Sequence, residues 1–239
     1  NAHAWAEFCR ELCAALDVPL ETATVDLQGR RGLGLEAAAR AARYQVFERQ
    51  QADFVVLAQH LDDQAETVLL QLLRGAGAKG MAAMPELATR HSALSTHLLR
   101  PLLEITRAEI ERHARQHGLR WVDDESNRDV VYDRNFMRHQ LLPLIERRFP
   151  AYRATLSRAS RNLAEAAQLL EELAQMDASV AVAQGALDIA ALRTLSPARA
   201  KNLLRHYLDG FGIAVPAARL EEMLRQFFLW ILAPDFTVI

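Results

Sequence analysis

A chain of 239 residues with 51% hydrophobic content is long enough to bury one large core or two modest ones. Its longest apolar runs, at 54–58 and 227–233, fall far short of the roughly 20 residues that cross a bilayer, so no membrane-spanning helix is expected. The formal charge of −2 does not announce a nucleic-acid partner, yet all of the 28 basic residues except Lys79 and Lys201 are arginine, the better fork for phosphate, so distribution matters more than total.

The opening NAHAWAEFCRELCAALDVPL reads as an amphipathic helix with Trp5, Phe8, Leu12 and Leu16 on one stripe and no signal-peptide pattern before it, so the chain is expected to begin inside a domain. Cys9 and Cys13 share a helix face and lack the spacing of a disulfide framework or zinc ribbon, which fits a reducing, cytoplasmic setting. From 21 to 119 short apolar strands alternate with helical segments, the pattern of βαβ units and a mainly parallel sheet. TATVDL (22–27) is expected as a strand and LGLEAAARAARYQVFERQQ (33–51) as a helix. DFVVLAQ (53–59) reads as a strand covered on both faces, and HLLRPLL (97–103) as the next strand. Thr106 and Glu109 form a capping box, with Gly118 as the stop of that helix.

Beyond Trp121 the character changes. WVDDESNRDVVYDRN is polar and irregular, RNFMRHQLLPLIERRF is helical with a kink or restart at Pro143, and the segment from Ala151 to Met176 is a long solvated helix. DASVAVAQGA is a break, with a domain boundary near Ala183, and Ser196 with Pro197 opens a further helix. The expected organisation is a catalytic α/β domain over 1–150, a long helix and linker over 151–183, a small helical domain over 184–226, and a fragment of a further region over 227–239. FFLWILAPDFTVI at the end has the composition of buried strand, and a junction is expected near Gln226.

LAQHLDDQAETVLLQLLRGAG (57–77) concentrates the chemistry. His60 to Glu66 follows a strand directly, where α/β sheets bind ligands. Asp62 and Asp63 could be plain N-terminal caps of the helix that begins there. Glu66 lies three residues after Asp63 on the same face, with Thr67 and His60 nearby, a grouping that suits a cationic amine or a metal ion. No cysteine cluster or second histidine at ligand spacing supports the metal, and none is assigned. RGAG (74–77) could cradle a phosphate but is more simply a C-cap.

The second constellation is DDESNRDVVYDRNFMRH (123–139). Asp124, Ser126 and Asn127 read as turn formers. Between Arg128 and Arg161 eight arginines stand against three acids, a local balance of +5, with Phe136, His139 and Tyr152 interleaved. Such a stripe is either a solvated face or a phosphate-binding surface for RNA or nucleotide.

Together LAQHLDDQAETVLLQLLRGAG, EAAARAARYQVF, RPLLEITRAEI and DDESNRDVVYDRNFMRHQLLPLIERRFP closely resemble the tRNA(Ile)-lysidine synthetases, members of the N-type ATP-pyrophosphatase group. The resemblance runs from about Trp5 to Pro150 and continues more weakly through LDIAALRTLSPARAKNLLRHYL, which is similar to that family's small helical tRNA-binding domain. It places the family's Ser-Gly-Gly-x-Asp-Ser loop upstream of Asn1. It implies a Rossmann-like domain followed by a small helical one, and a ligase that uses ATP, with Mg2+, to adenylate the wobble cytidine of a CAU-anticodon isoleucine tRNA before free lysine displaces AMP. In that reading Asp63 and Glu66 engage lysine, with His60 and Thr67 completing the shell. Arg134 stabilises phosphate charge, and Asn135, Arg138, His139, Arg147 and Arg148 are candidates for ATP or tRNA contacts. A homodimer is the implied assembly. Two other readings remain: a cytidine thiolase of the same group, for which Cys9 and Cys13 lack the paired C-x-x-C pattern, and a catalytically silent RNA-binding module.

Overall fold

The computed structural model describes residues 2–25, 35–50, 52–89, 96–183, 185–213 and 215–229. The chain divides into two compact units, Asn1–Arg74 with Ala83–Ser157, and Gly75–Ala82 with Arg158–Ile239.

The first unit is α/β. Helix α1 (Ala2–Ala15) and helix α2 (Leu35–Glu48) precede strand β1 (Phe54–Val56), which runs into α3 (Leu61–Leu73). Strands β2 (Leu87–Thr89) and β3 (His97–Leu99) complete a sheet of order β1-β3-β2. β1 pairs with β3 in parallel, Val55 opposite Leu98, and β2 pairs with β3 antiparallel, so the described sheet is mixed. Side chains alternate across it. Leu98 is buried on one face, whereas Phe54 and Val56 are 52% and 61% exposed, so β1 is not covered on both sides as its apolar run suggested.

β3 stops at Leu99 because the pairing cannot run on through Pro101, which has no N–H to give. β2 was not foreseen, since three residues carry too little pattern to read. Of TATVDL, residues 22–25 form no strand, and Asp26 and Leu27 lie outside the described residues.

Helix α5 (Arg107–Gln116) starts as its sequence dictates. The Thr106 N–H donates to Glu109 Oε2 at 2.8 Å and the Glu109 N–H returns to Thr106 Oγ1 at 3.2 Å. Gly118, at φ +62°, takes the left-handed turn that ends it. Gly75, at φ +70°, does the same after α3, so RGAG begins as a plain C-cap. A 3-10 turn (Glu125–Arg128) leads to helix α6 (Asp133–Phe136), a π-helical stretch (Met137–Leu141) and α7 (Leu142–Arg148). Pro143 explains the widened turn. It cannot donate to the His139 carbonyl and its ring crowds that group, so the helix opens before restarting with proline in its first turn.

The second unit holds the short helix α4 (Ala78–Met81) and most of α8 (Tyr152–Ala181), a 30-residue helix that continues through part of the expected break. A hairpin of β4 (Val182–Ala183) and β5 (Ala186–Leu187) then leads to α9 (Ile189–Thr194), α10 (Pro197–Gly210) and α11 (Ala217–Leu229). Ser196 occupies the N-cap of α10 with Pro197 following, though its side chain makes no capping bond. Leu192, Leu203 and Leu220 are fully buried with Ala200, Leu204 and Leu224 around them, each leucine contributing about 2 kcal/mol through burial. Residues 227–229 belong to α11, which replaces the strand expected there, and 230–239 lie outside the described residues. Among the described residues no helix is long and apolar enough to cross a membrane.

Candidate active site

The end of β1 is extended by one bond, Leu57 N–H to the Leu99 carbonyl at 2.8 Å, before the chain turns at Gln59 and His60 into α3. That turn is fixed from below. Arg100, 5% exposed, donates through Nε to Gln59 Oε1 at 2.5 Å and through Nη1 to the Pro85 carbonyl at 2.8 Å. Gln64 clamps Met84, giving Nε2 to its carbonyl at 2.9 Å and taking its N–H on Oε1 at 3.1 Å. Neither buttress was signalled by the sequence motifs.

Glu66 is the centre of the site. Its side chain is 1% exposed, and it is reached by two guanidinium groups from the α6–π segment. Arg138 binds it in bidentate fashion, Nε to Oε1 at 2.7 Å and Nη2 to Oε2 at 3.0 Å. Arg134 Nε adds a bond to Oε2 at 2.8 Å, and its Nη2 reaches Thr67 Oγ1 at 3.2 Å. Thr67 in turn donates to the Asp63 carbonyl at 2.7 Å. A carboxylate so buried is tolerable only because it is this fully paired. Burial alone would lower the basicity of Arg138, but its bonds to Glu66 and the charge of Asp63 raise it above the ordinary arginine value.

Asp63 sits beside this cluster and does two jobs. Its Oδ2 accepts the His60 N–H at 3.1 Å, which is the capping role, while Oδ1 lies 3.5 Å from Arg138 Nη2 and 3.9 Å from Arg134 Nη2. His60 lies between two carboxylates, Nε2 at 3.5 Å from Asp63 and Nδ1 at 3.7 Å from Asp62.

Asp62 joins three elements. It accepts the Arg107 N–H at the start of α5 at 2.8 Å and Arg153 Nε at 2.6 Å, and Arg153 also binds Glu146 at 2.6 Å. Burial pushes the Asp62 carboxyl up, but the Arg107 amide and the Arg153 guanidinium more than offset this and hold it below the usual carboxylate range. Burial raises the neighbouring Tyr152 hydroxyl to about 12, so it stays neutral in the core formed with Ala65 and Leu142. The depressed Asp62 value has a consequence for stability. Its contribution is complete above the unfolded carboxylate pKa of about 3.9 and is lost as pH falls through the lower folded value. The stability difference between wild type and Asp62→Asn, read from urea unfolding, should therefore be constant from pH 7 to 5 and shrink below about pH 4. A difference that stayed flat into acid would mean that Asp62 is not held ionised by these partners.

The remaining candidates are placed differently. Asn135, 8% exposed, gives Nδ2 to the carbonyls of Ser126 and Asp129, both at 2.8 Å, and His139 Nε2 lies 2.7 Å from the Asn127 carbonyl oxygen. Both fasten the 3-10 turn. Arg147 and Arg148 are exposed in the last turn of α7, with Arg148 over the Phe149 ring at 5.6 Å. The arginine stripe is thus less free than its +5 balance suggested, since Arg134, Arg138 and Arg153 are turned onto Glu66, Asp63, Asp62 and Glu146.

Beside the cluster is a cavity of about 300 Å³ whose walls include Asp62, Arg107, Arg138, Glu146 and Arg153. A second cavity of about 300 Å³ lies within the other unit, where Lys79 pairs with Asp209 at 2.9 Å and His206 with Glu171 at 2.8 Å. Among the described residues no group of three or more His, Cys, Asp or Glu could hold a metal ion.

An α/β unit with charged side chains gathered after a strand end has its candidate site where open α/β sheets bind ligands. The PP-loop domain model matches residues 1–145 and the TilS substrate binding domain model residues 187–230. The chain belongs to the PP-loop domain family. It is 53% identical over 223 residues to the tRNA(Ile)-lysidine synthase of Nitrosomonas europaea, an alignment covering 93% of this chain and 49% of that one. It is 46% identical over 227 residues to the protein of the same name from Chromobacterium violaceum, covering 95% and 52%. The chain therefore spans about half the length of these relatives. Among solved structures, a U34-tRNA thiolase from Methanococcus maripaludis shares the fold at TM-score 0.53 and 14% identity, over 67% of this chain and 56% of that one.

Proposed function

We propose that the protein forms lysidine on an isoleucine tRNA with a CAU anticodon, using ATP and free lysine. The observation that carries this reading is Glu66, buried between Arg134 and Arg138 with Asp63 at their side, in a chain that is 53% identical over 223 residues to a tRNA(Ile)-lysidine synthase. In the first step the cytosine 2-oxo oxygen attacks the α-phosphorus of ATP and the bond to pyrophosphate breaks. Arg134 serves that step. Its Nε and Nη2 are engaged on Glu66 and Thr67, which aims the guanidinium while leaving Nη1 for a phosphate oxygen. In the second step the deprotonated ε-amine of lysine attacks C2, the C–O bond breaks and AMP departs.

Lysine binding falls to the acidic pair by different routes. Asp63 offers Oδ1 to the ammonium group, with His60 and Thr67 beside it. Glu66 has no open surface, so it acts by holding the two arginines in place. The adjoining cavity has room for the rest of the amino acid, with Arg107 and Arg153 suited to its carboxylate. Mg2+ is expected to arrive with the nucleotide, and no step is assigned to it. Arg147 and Arg148, exposed at the end of α7, are suited to RNA phosphates, whereas Asn135 and His139 act by shaping the loop. The substrate implies a cytoplasmic location, and a homodimer is the expected assembly.

The two steps can be tested apart. Asp63→Ala is expected to leave pyrophosphate release from ATP and tRNA largely intact while raising the KM for lysine by at least about 10-fold, the value of one charge-assisted bond of about 1.5–3 kcal/mol. Wild-type lysine kinetics in this variant would remove Asp63 from the amine site.

A further inference from the structure

We infer that the outer face of α6 and the loop before it, carrying Arg128, Val131, Tyr132 and Phe136, is a stacking platform for unpaired nucleobases that flank the reacting base. The inference rests on the tRNA reading above. The segment alternates in chemistry along its length. Arg134 and Arg138, one helical turn apart, face inward onto Glu66. Phe136, two residues from each of them, takes the opposite side by helical spacing, and Tyr132 is the N-cap of the same helix, its carbonyl accepting the Phe136 N–H at 2.9 Å. Tyr132 and Phe136 are 39% and 47% exposed, and Val131 beside them is 83% exposed.

Exposure of this kind is unremarkable on a loose loop, but this loop is fastened. Asn135 holds the carbonyls of Ser126 and Asp129, His139 meets that of Asn127, Asp129 Oδ1 takes the Val131 N–H at 3.1 Å, and Asp124 Oδ1 takes the Ser126 N–H at 2.9 Å. A tied-down loop that keeps two aromatic rings and a valine in water is a surface prepared for a partner.

The chemistry of that partner follows from the neighbours. Arg128 closes the 3-10 turn four residues before Tyr132 and makes no ion pair among the described residues, so the same exposed segment carries an unneutralised guanidinium. Flat rings beside an arginine are how proteins hold single-stranded RNA, the bases stacking and the phosphate meeting the cation. A base drawn out of its stack toward Arg134 leaves its neighbours without stacking partners. Phe136, on the far side of one helix about 10 Å thick, and Tyr132 at its N-cap supply them.

The test uses an anticodon stem-loop RNA carrying 2-aminopurine next to the reacting cytidine, mixed with the complete protein without ATP or lysine. Wild type should bind it and quench the fluorophore. Tyr132→Ala and Phe136→Leu should each weaken binding by about 5- to 100-fold and lose the quench, while Tyr132→Phe and Phe136→Trp retain both. Phe136→Leu should leave the salt dependence of affinity unchanged, whereas Arg128→Ala should lower its slope by about one contact. Binding and quench unchanged in Phe136→Leu would overturn the platform while the tRNA reading stands. Failure of wild type to bind the RNA would overturn both. If Phe136→Leu instead turned a dimer into a monomer in sedimentation with RNA affinity unaltered, the face would be a contact between copies, and the inference would be wrong.

Discussion

Glu66→Ala is expected to destabilise the PP-loop unit by about 3 kcal/mol and to abolish both steps of the reaction. Removing one partner of a buried ion pair typically costs about 3–5 kcal/mol, because the charge left behind loses its compensation. Here the groups left behind are Arg134 and Arg138, 27% and 20% exposed, so they can partly regain water and the lower end of that range applies. Glu66→Gln keeps the shape and one acceptor oxygen but sets an amide N–H against a guanidinium. Its loss should be smaller, about 1.5–3 kcal/mol, the value of a hydrogen bond to a charged group. Urea unfolding of the three proteins at pH 7 measures this directly. If Glu66→Ala unfolded within about 0.5 kcal/mol of wild type, the carboxylate would not be the anchor of the two arginines.

Arg134→Ala is expected to behave in the opposite way, sparing the fold and losing the chemistry. Glu66 keeps its bidentate partner Arg138 in this variant, so no buried charge is stranded. On the proposed mechanism, what disappears is a donor to the charge that grows on the α-phosphate in the transition state. Removing one such donor costs about 10²- to 10³-fold in rate while ground-state binding changes little. Single-turnover adenylation should therefore slow by that order, with tRNA, ATP and lysine affinities close to wild type. Arg134→Lys should rescue little, since one ammonium nitrogen cannot span Glu66, Thr67 and a phosphate oxygen as the separate nitrogens of the planar guanidinium do. Affinity for tRNA falling in step with the rate would recast Arg134 as a binding contact. No change in either quantity would remove it from the site.

Local features were legible in the sequence where the cause is local. The Thr106–Glu109 box and the Gly118 stop are written within a dozen residues, and the structure forms both. The restart at Pro143 follows from a missing N–H, and it appears as a π-helical stretch before α7. The acidic grouping of Asp63 and Glu66 was readable because helical spacing puts them on one face after a strand. Their partners were not. Arg138 lies 72 residues from Glu66 and Arg153 lies 91 from Asp62, and nothing in periodicity or composition encodes a pairing across such distances. The sequence therefore showed an arginine stripe where the folded chain has arginines divided between an inner cluster and an outer surface. Asn135 and His139 illustrate the same limit, since nothing in the sequence encodes their bonds to the carbonyls of Ser126 and Asn127. The segment 54–56 was read as doubly covered because a continuous apolar run does not say which face a neighbour will take.

Lysidine itself can be detected in the modified tRNA. The complete protein is incubated with unmodified isoleucine tRNA bearing a CAU anticodon, ATP and isotopically labelled lysine, and the tRNA is digested to nucleosides for mass spectrometry. The wobble cytidine should gain the mass of one labelled lysine less one water, with AMP and pyrophosphate released in equal amounts, and omitting lysine should leave pyrophosphate release but no such nucleoside. A wobble cytidine that remains unmodified, or one that gains sulfur or any group other than lysine, would rule out lysidine formation by this protein.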